Sequence, residues 1–384
     1  MRKPKNWGHP CPNLDCSHYK LMNRGNIRSI STYMTQSGKR RIFHCNKCEH
    51  SFAETRDTVF FDLRTPEDKV MMALKMLLVK VGLTDIGFVL GVTEEAVLMW
   101  LNRAAQKAHE INTNLLRDLP VTEVQLDEMW SFIKRKHAQQ AEAEGESTDQ
   151  NEDGRQWVWI SFAPEFRLIL ATFVGPRTFD SALQLIQMTA AVVLGVPCFF
   201  SDGFSCYLSA LIEVYYTQIT FPRTGKRGRP KEPVKEPHPD LVYGQLIKKK
   251  RQGRLQELIH RICCGAERLA ELGLSISTSL IERLNLTLRH ALAPLVRKSQ
   301  CFCKERTQMR RRVTFFQAFY NFARPHMSLR LPLPEQKVSA SDMILPKWQH
   351  RTPGMAAGLT DHVWTFRELL TANFEPFHNQ SISG

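Results

Sequence analysis

The segment Val121–Ile133 places a carboxylate in the middle of a strongly apolar stretch. The stretch is rich in β-branched and aromatic residues, and apolar side chains occupy both odd and even positions. This pattern predicts a strand buried on both faces, which is typical of the centre of a mixed sheet covered by helices. Asp127 is costly there unless a cationic group meets it. Two interpretations are open: Asp127 caps a turn or pairs with a nearby arginine, or it belongs to a functional site.

The net charge of the chain indicates which kind of molecule it binds. The 384 residues are enough for two or three domains, and 52 Lys and Arg against 38 Asp and Glu give a net charge of +14. Such an excess favours a polyanionic partner, with nucleic acid ahead of a membrane surface. We expect neither a secretory signal in Met1–Asn13 nor a membrane span, because Lys75 and Lys80 interrupt the apolar run Met71–Leu83. Ten cysteines in such a chain indicate a reducing, cytoplasmic compartment with metal-bound or free thiols.

Residues 1–56 form a small basic module with two pairs of cysteines. The spacings within the pairs, four and two residues, let each knuckle offer two thiolates to one metal ion. Four thiolates suit tetrahedral zinc, whose binding supplies the folding free energy that so small a module lacks. The alternatives are four unlinked buried thiols, or a mixed set with a neighbouring histidine. The expected zinc ligands are Cys11, Cys16, Cys45 and Cys48.

A β-hairpin is expected inside this zinc ribbon. Tyr33–His44 has the pattern of two strands joined at Ser37-Gly38, a common turn sequence. The hairpin carries Arg40 and Arg41, which we expect to contact DNA.

Residues 57–115 are predicted to form an all-α domain. Thr65 and Pro66 begin one helix; Thr84 is then expected to cap a short helix, and Thr93 to cap a longer helix after a glycine turn. This order is typical of the helix-turn-helix motif, with an ordinary helical hairpin as the alternative. In the helix-turn-helix interpretation, the longer helix presents exposed side chains to DNA. These are Asn102, Arg103 and Lys107.

Residues 116–330 are predicted to be the largest domain, an α/β unit. The elements expected after the first strand are the strands Trp157–Phe162 and Arg167–Val174, the helix Thr178–Leu194 and the short buried strand Pro197–Phe200. This succession matches the start of a ribonuclease-H-like mixed sheet with flanking helices. Asp202 follows the last of these strands, and ligands bind at the carboxyl ends of strands in such sheets. Alternatively, Asp202 only forms a turn with the glycine after it.

A third carboxylate lies on a predicted helix, Ser277–Leu295. At about 100° per residue, Glu282, Asn285 and Arg289 fall on one face, and an apolar stripe falls on the other. Glu282 therefore projects from a helix whose back is anchored in the core. The alternative is a surface glutamate paired with Arg289 or Arg283.

Residues 222–254 are predicted to be an inserted, partly disordered basic segment, because they are rich in Lys, Arg and Pro. Within it, Arg227 and Arg229 lie in a sequence that resembles the core of an AT-hook, in which arginines enter the minor groove of DNA. The alternative is a basic linker that neutralises phosphates. Residues 331–384 are expected to be a C-terminal tail with one short helix.

Several motifs together resemble the insertion sequence 1 family of bacterial and archaeal transposases. They are Gln125-Leu126-Asp127-Glu128-Met129-Trp130, Ser201-Asp202-Gly203-Phe204 with Tyr207, Ile281-Glu282-Arg283-Leu284-Asn285-Leu286 with Arg289, Val296-Arg297-Lys298-Ser299, and Tyr320-Asn321 with Arg324-Pro325-His326. The resemblance covers about residues 8–330 and keeps the order zinc ribbon, helix-turn-helix, catalytic domain.

The resemblance implies a ribonuclease-H-like domain in which Asp127, Asp202 and Glu282 bind Mg²⁺ or Mn²⁺ and Arg289 lies near DNA. Such an enzyme binds the terminal inverted repeats of its element, cleaves DNA at the ends and joins the 3′ hydroxyls to target DNA. Double-stranded DNA, a homodimer or larger synaptic complex, and a prokaryotic cytoplasm close to the nucleoid are implied with it. Two alternatives are a DNA-binding regulator without catalysis, and a nuclease of the same fold that does not join strands.

Overall fold

The computed structural model describes residues 7–134, 154–221, 232–252, 254–297, 300–333 and 347–375. The chain divides into two compact units, one of Met1–Leu115 with Trp364–Gly384 and one of Leu116–Val363. The division at residue 115 coincides with a predicted domain boundary, whereas the expected tail is shared between both units. Within the described part, no helix is both long enough and apolar enough to cross a bilayer.

The N-terminal unit begins with a three-stranded antiparallel sheet. Its strands are β1 (Ile27–Thr35), β2 (Gly38–Cys45) and β3 (Ser51–Ala53). Thr35 pairs with Gly38, so the predicted hairpin is present and its strands are longer than expected. Phe43 and Phe52 are buried against each other, and Trp7 and His9 lie against Phe43, which gives the small module an aromatic core.

Helices complete the N-terminal unit. They are α1 (Glu67–Leu77), α2 (Leu83–Leu90) and α3 (Glu94–Leu115), and the last helix of the described residues, Phe366–Thr371, packs on α3. Gly91 ends α2 with φ +60°, a conformation that L side chains rarely adopt, and Thr93 accepts a hydrogen bond from the backbone of Ala96 as predicted. The expected cap at Thr84 is wrong, because α2 begins earlier, after Gly82, and the Thr84 hydroxyl donates to Glu94 instead.

A six-stranded mixed sheet is the centre of the C-terminal unit. Its strands are β4 (Glu123–Ile133), β5 (Gly154–Ala163), β6 (Leu168–Gly175), β7 (Cys198–Ser201), β10 (Val242–Arg251) and β11 (Arg254–Cys264). The order across the sheet is β6–β5–β4–β7–β10–β11. Strand β7 runs parallel to both of its neighbours, and the other pairs are antiparallel. This arrangement is consistent with the expected ribonuclease-H-like sheet.

Helices and short strands surround this sheet. The remaining elements are α4 (Phe179–Ala190), α5 (Cys206–Val214), β8 (Tyr216–Ile219), β9 (Val234–Pro237), α6 (Ala266–Glu271), α7 (Ser279–Ala291), α8 (Arg306–Ala318), β12 (Leu331–Pro332), β13 (Trp348–Gln349), α9 (Pro353–Ala356) and, in the N-terminal unit, α10 (Phe366–Thr371). Ile281, Leu284 and Leu288 are buried, so the predicted apolar back of α7 is confirmed.

The prediction of a disordered segment at 222–254 is wrong for most of its second half. Val242–Arg251 forms β10, whose first residues are buried and pair with β7 inside the sheet. The composition argument failed because the apolar run Leu241–Ile247 is short and is followed at once by four basic residues. Residues 222–231 lie outside the described part of the chain.

Polar side chains of helix α8 and of the turn that continues it form hydrogen bonds with the edge strand β6. Helix α8 continues as a π-helical turn, Phe319–Ala323. The fully buried Asn321 accepts a hydrogen bond from the Ile169 N–H at 3.0 Å and donates to the Ile169 carbonyl at 2.9 Å. Gln317 donates to the carbonyls of Ile169 and Leu170. At Ile169 and Leu170 these bonds take the place of a further strand, so this part of the edge is closed without one.

We predict that Asn321→Leu destabilises the C-terminal unit by about 2–3 kcal/mol, because it leaves the buried Ile169 N–H without an acceptor. Urea denaturation followed by tryptophan fluorescence measures the change. Gln184→Leu, the same kind of change at an exposed position of α4, is the control and is expected to have little effect. Equal stability of the two variants would contradict the closing role of Asn321.

Candidate functional site

Two aspartates and a glutamate meet where strand β7 ends. Strand β4 pairs with β7 only as far as Gln125, so the next residues of β4 face open space on that side. Asp127 lies there, and Asp202 follows the last residue of β7 directly. Carboxylate oxygens of Asp127, Glu128 and Asp202 all lie within 4.8 Å of one another. The sheet topology therefore concentrates three acids at one point.

Glu282 reaches the same pocket from helix α7. The pocket has a volume of about 850 Å³, and Asp127, Asp202 and Glu282 all line it. The Glu282 carboxylate accepts hydrogen bonds from the Thr278 hydroxyl, at 2.7 Å, and from the Lys248 ammonium. Glu282 is not part of the tight cluster of the other three acids. The three residues predicted from the sequence thus line one pocket, with Glu282 held at its rim.

Burial and crowding make Asp127 a weak acid. Burial first, and then the charges of Glu128, Asp202 and Glu282, raise the pKa of Asp127 from its ordinary value of 3.8 to about 7. Its carboxylate accepts hydrogen bonds from the Asn285 amide and from the Glu128 backbone N–H. At neutral pH the side chain is poised between its two protonation states.

Glu128 was not predicted as a site residue, although it adjoins Asp127. It is buried; its carboxylate accepts hydrogen bonds from the Tyr207 hydroxyl, at 2.9 Å, and from Arg177. Burial and the charge of Asp202 raise its pKa, and Arg177 opposes that effect. An acidic pair in a strand with apolar residues on both faces was the available signal, because both carboxylates cannot be solvated there.

Three basic side chains line the acidic pocket: Arg177, Lys248 and Arg297. Arg177 packs over the rings of Trp157 and Phe204, which fixes its guanidinium beside Glu128. Arg289 lies close enough to interact electrostatically with the site. Burial and the charge of Arg297 lower the pKa of Arg289, and the charge of Asp127 opposes that effect. An acidic centre with a basic rim suits a phosphate diester held against a metal ion.

The acidic cluster fits a divalent cation. Clustered carboxylate oxygens are the ligands that Mg²⁺ and Mn²⁺ prefer, and a cation would offset both the burial and the repulsion that raise the pKa of Asp127. Asn285 donates its Nδ2 hydrogen to Asp127, and its Oδ1 is buried without a hydrogen-bond partner within the described part of the chain, so a bound cation would give this oxygen a partner.

The four predicted zinc ligands come together in the N-terminal unit. Their sulfur atoms all lie within 4.8 Å of one another; Cys11 and Cys48 are 3.6 Å apart, and Cys16 and Cys45 are 3.9 Å apart. A tetrahedron with Zn–S arms of about 2.3 Å has edges of about 3.8 Å, so this cluster has the size that zinc requires. Burial by itself raises the pKa of the Cys48 thiol. Hydrogen bonds, of which the one from the His50 backbone N–H has the largest effect, lower that pKa to about 7.

The two arginines of the hairpin have different surroundings. Arg41 is exposed and packs over the ring of Trp7. Arg40 is 9% exposed and forms an ion pair with Glu67 of α1 at 2.5 Å. Arg40 is therefore an internal cation that joins the three-stranded sheet to helix α1 within this unit, and its contact with DNA stays a prediction.

The expected surface of α3 is also largely engaged inside the unit. Lys107 is 5% exposed and pairs with Glu110 at 2.7 Å, so the expectation of an exposed Lys107 is wrong. Arg103 is half-buried and donates to the carbonyl of Phe61. Asn102 remains partly exposed, and its contact with DNA stays a prediction. The AT-hook arginines Arg227 and Arg229 lie outside the described residues.

Comparison with known proteins gives only distant structural matches. No protein-family model and no curated protein matches the chain. Among solved structures, it is similar to "Crystal structure of the Mos1 Strand Transfer Complex", with 14% identity, TM-score 0.16 and coverage of 38% of this chain and 54% of that chain. It is also similar to "Mos1 transposase paired-end complex with left transposon end", with 12% identity, TM-score 0.15 and coverage of 38% and 56%. The chain thus spans about half the length of these proteins.

We predict that Asp127→Asn stabilises the protein more at pH 8 than at pH 5, without added divalent cation. The raised pKa means that the folded state holds the proton more tightly than the unfolded chain. Asp127 therefore lowers stability progressively as pH rises from about 4 to about 7. The Asp127→Asn variant does not lose stability in this way. Its stability relative to the unaltered protein is therefore about 2 kcal/mol higher at pH 8 than at pH 5. Denaturation at both pH values measures it, with exposed Glu236→Gln as the control. A pH-independent difference would contradict the raised pKa.

We predict that Cys45→Ser loses bound zinc and unfolds residues 1–56, because zinc binding supplies much of the folding free energy of so small a module. Metal analysis of the purified protein and limited proteolysis measure the two effects. Cys206→Ser, outside the cluster, is expected to keep both the zinc and the protease resistance. An intact, zinc-loaded Cys45 variant would show that the four thiols are only buried neighbours.

Proposed function

We propose that this protein is a DDE transposase that cleaves DNA at the ends of a mobile element and joins the freed 3′ hydroxyls to target DNA. The observation that carries the proposal is the acidic pocket with its basic rim at the end of β7. The motif resemblance to the insertion sequence 1 family supports it independently. DNA end binding and strand transfer are the finer parts of this proposal.

Asp127, Asp202 and Glu282 would hold Mg²⁺ or Mn²⁺, with Glu128 close enough to contribute. The bound cations would activate the attacking oxygen and stabilise the charge on the leaving oxygen. Asn285 orients Asp127 by its hydrogen bond. Arg177, together with Lys248 and Arg297, lines the pocket where the phosphate diester would lie, so these cations attract and position the DNA backbone.

The N-terminal unit would recognise the element ends. Its exposed cations include Arg41 on the hairpin, and α2 with α3 has the short-helix, glycine-turn, long-helix order of a DNA-binding motif. Two ends must be held together for transposition, so a homodimer or larger synaptic complex belongs to the proposal. A prokaryotic, nucleoid-associated location also belongs to the proposal, because the insertion sequence 1 family that the motifs resemble is bacterial and archaeal. The zinc ion would serve folding of the ribbon, not the reaction.

Two other functions make different predictions. A regulator built on the N-terminal unit would bind DNA and show no metal-dependent nicking. A nuclease with the same fold would nick DNA but would not join a 3′ hydroxyl to a second duplex. The crowded carboxylates of the C-terminal unit favour an enzyme over a regulator. In a purely structural role, nothing would compensate for the unfavourable environment that raises the pKa of Asp127.

We predict that Asp127→Asn, Asp202→Asn and Glu282→Gln each reduce Mg²⁺-dependent nicking of supercoiled plasmid by about a hundredfold or more, because each removes a charge that holds the cation. DNA binding, measured by mobility shift, is expected to be unchanged. Joining of a 3′-hydroxyl oligonucleotide to plasmid, followed in parallel, separates a transposase from a nuclease.

Glu267→Gln is the matched control, since this glutamate is exposed and lies on α6, outside the acidic pocket. Loss of folding is not an explanation for an inactive Asp127→Asn, because that change is expected to stabilise the protein. Full nicking by the Asp127 variant would refute the acidic site. Metal-dependent nicking without joining would leave a nuclease as the function.

A further inference from the structure

Strands β10 and β11 extend beyond the sheet as a two-stranded ribbon. Strand β10 pairs with β7 only through Gln245, whereas β11 pairs with β10 along its whole length. We call residues 246–252 and 254–260 the β10–β11 ribbon. The six residues of β10 that follow Gln245 span about 20 Å, at 3.4 Å per residue. Outside the root residues, almost all of its described side chains are exposed.

The root of the ribbon is fixed to the acidic pocket. Leu246 is buried in a core cluster, and the Ile247 side chain lies against Gly203 next to Asp202. Lys248 lines the pocket and pairs with Glu282. The ribbon therefore starts at the site where a DNA strand would be cut and projects away from it.

The ribbon is basic and carries side chains that recognise base edges. Lys248, Lys249, Arg251 and Arg254 outweigh the acid Glu257, which pairs with Lys249. Arg251 lies directly opposite Arg254 next to the tip, and both are exposed. Arginine binds guanine edges and glutamine binds adenine edges in the major groove, and exposed glutamines stand at positions 252 and 256. Exposed Leu255 and Leu258 suit contact with thymine methyl groups.

We propose that the β10–β11 ribbon inserts into the major groove of the duplex whose strand is cut in the acidic pocket. This inference rests on the proposed function and names where and how the DNA is held. The major groove, about 12 Å wide, admits a two-stranded ribbon, and each base pair presents a distinct pattern of donors and acceptors there for arginine and glutamine to bind. A ribbon of about 20 Å that starts at the pocket reaches base pairs within about six positions of the cut.

The test compares arginine-to-alanine changes at the tip of the ribbon with one at its root. Arg254→Ala, combined with Arg251→Ala, removes the cations next to the tip. Arg261→Ala is the control, because this exposed arginine lies at the root of β11, opposite Gln245 inside the sheet. The full chain is bound, without divalent cation, to a short duplex recovered from a random-sequence pool by the unaltered protein. Anisotropy gives affinity, and dimethyl sulfate footprinting reports guanine N7 in the major groove and adenine N3 in the minor groove.

The expected result is a loss of about tenfold or more in affinity for the tip variant, with guanine N7 protections that disappear only in that variant. Unchanged guanine protection would overturn the proposal, as would a selective loss of adenine N3 protection or equal effects of Arg261→Ala. The binding assay needs no cleavage, so it separates the two proposals. If the protein shows the guanine protections but never nicks DNA, the proposed function is refuted and the proposal for the ribbon stands.

Discussion

Repulsion between carboxylates at the end of β7 is the constraint around which the C-terminal unit is built. Asp127, Glu128 and Asp202 bring oxygen atoms within 4.8 Å of one another in a partly buried setting. Such a cluster is unfavourable without compensation. Tyr207 and Arg177 supply it for Glu128, and Asn285 supplies it for Asp127. The compensation is incomplete, since burial first, and then the neighbouring carboxylates, still raise the pKa of Asp127 to about 7. That residual cost is removed most directly by a divalent cation.

The shortness of one strand creates both the pocket and the ribbon. Strand β7 has four residues, whereas its neighbours β4 and β10 have eleven and ten. Beyond β7 the two long strands lose their common partner, and the space between them becomes the pocket. Asp127 faces it from β4, and Lys248 faces it from β10. The same loss of pairing leaves β10 with β11 as its only strand partner within the described sheet, so the ribbon is a direct consequence of the gap that holds the acids.

The sequence predicted the parts whose signal is local. The buried strand around Asp127, the cysteine spacing and the helix that carries Glu282 each follow from a pattern within about twenty residues. The sheet position of β10 did not, because its apolar half is short and its basic half resembles a linker. The role of Glu128 was also missed: adjacent residues of a strand normally point to opposite faces, so nothing in the sequence indicated that both acids lie within 4.8 Å of Asp202. These outcomes depend on partners distant in sequence.

The basic residues show why net charge identifies a class of partner but not the surface that binds it. Lys107 pairs with Glu110 and Arg40 pairs with Glu67, and both cations are buried. A buried cation must have such a partner, because its desolvation would otherwise destabilise the fold, so the pairing itself accounts for the residue. Exposed cations such as Arg251 and Arg254 contribute little to stability, since surface charges are screened by water and salt. Their concentration on a ribbon that begins at an acidic pocket therefore has no explanation in the stability of the fold and is what the proposed contact with DNA requires.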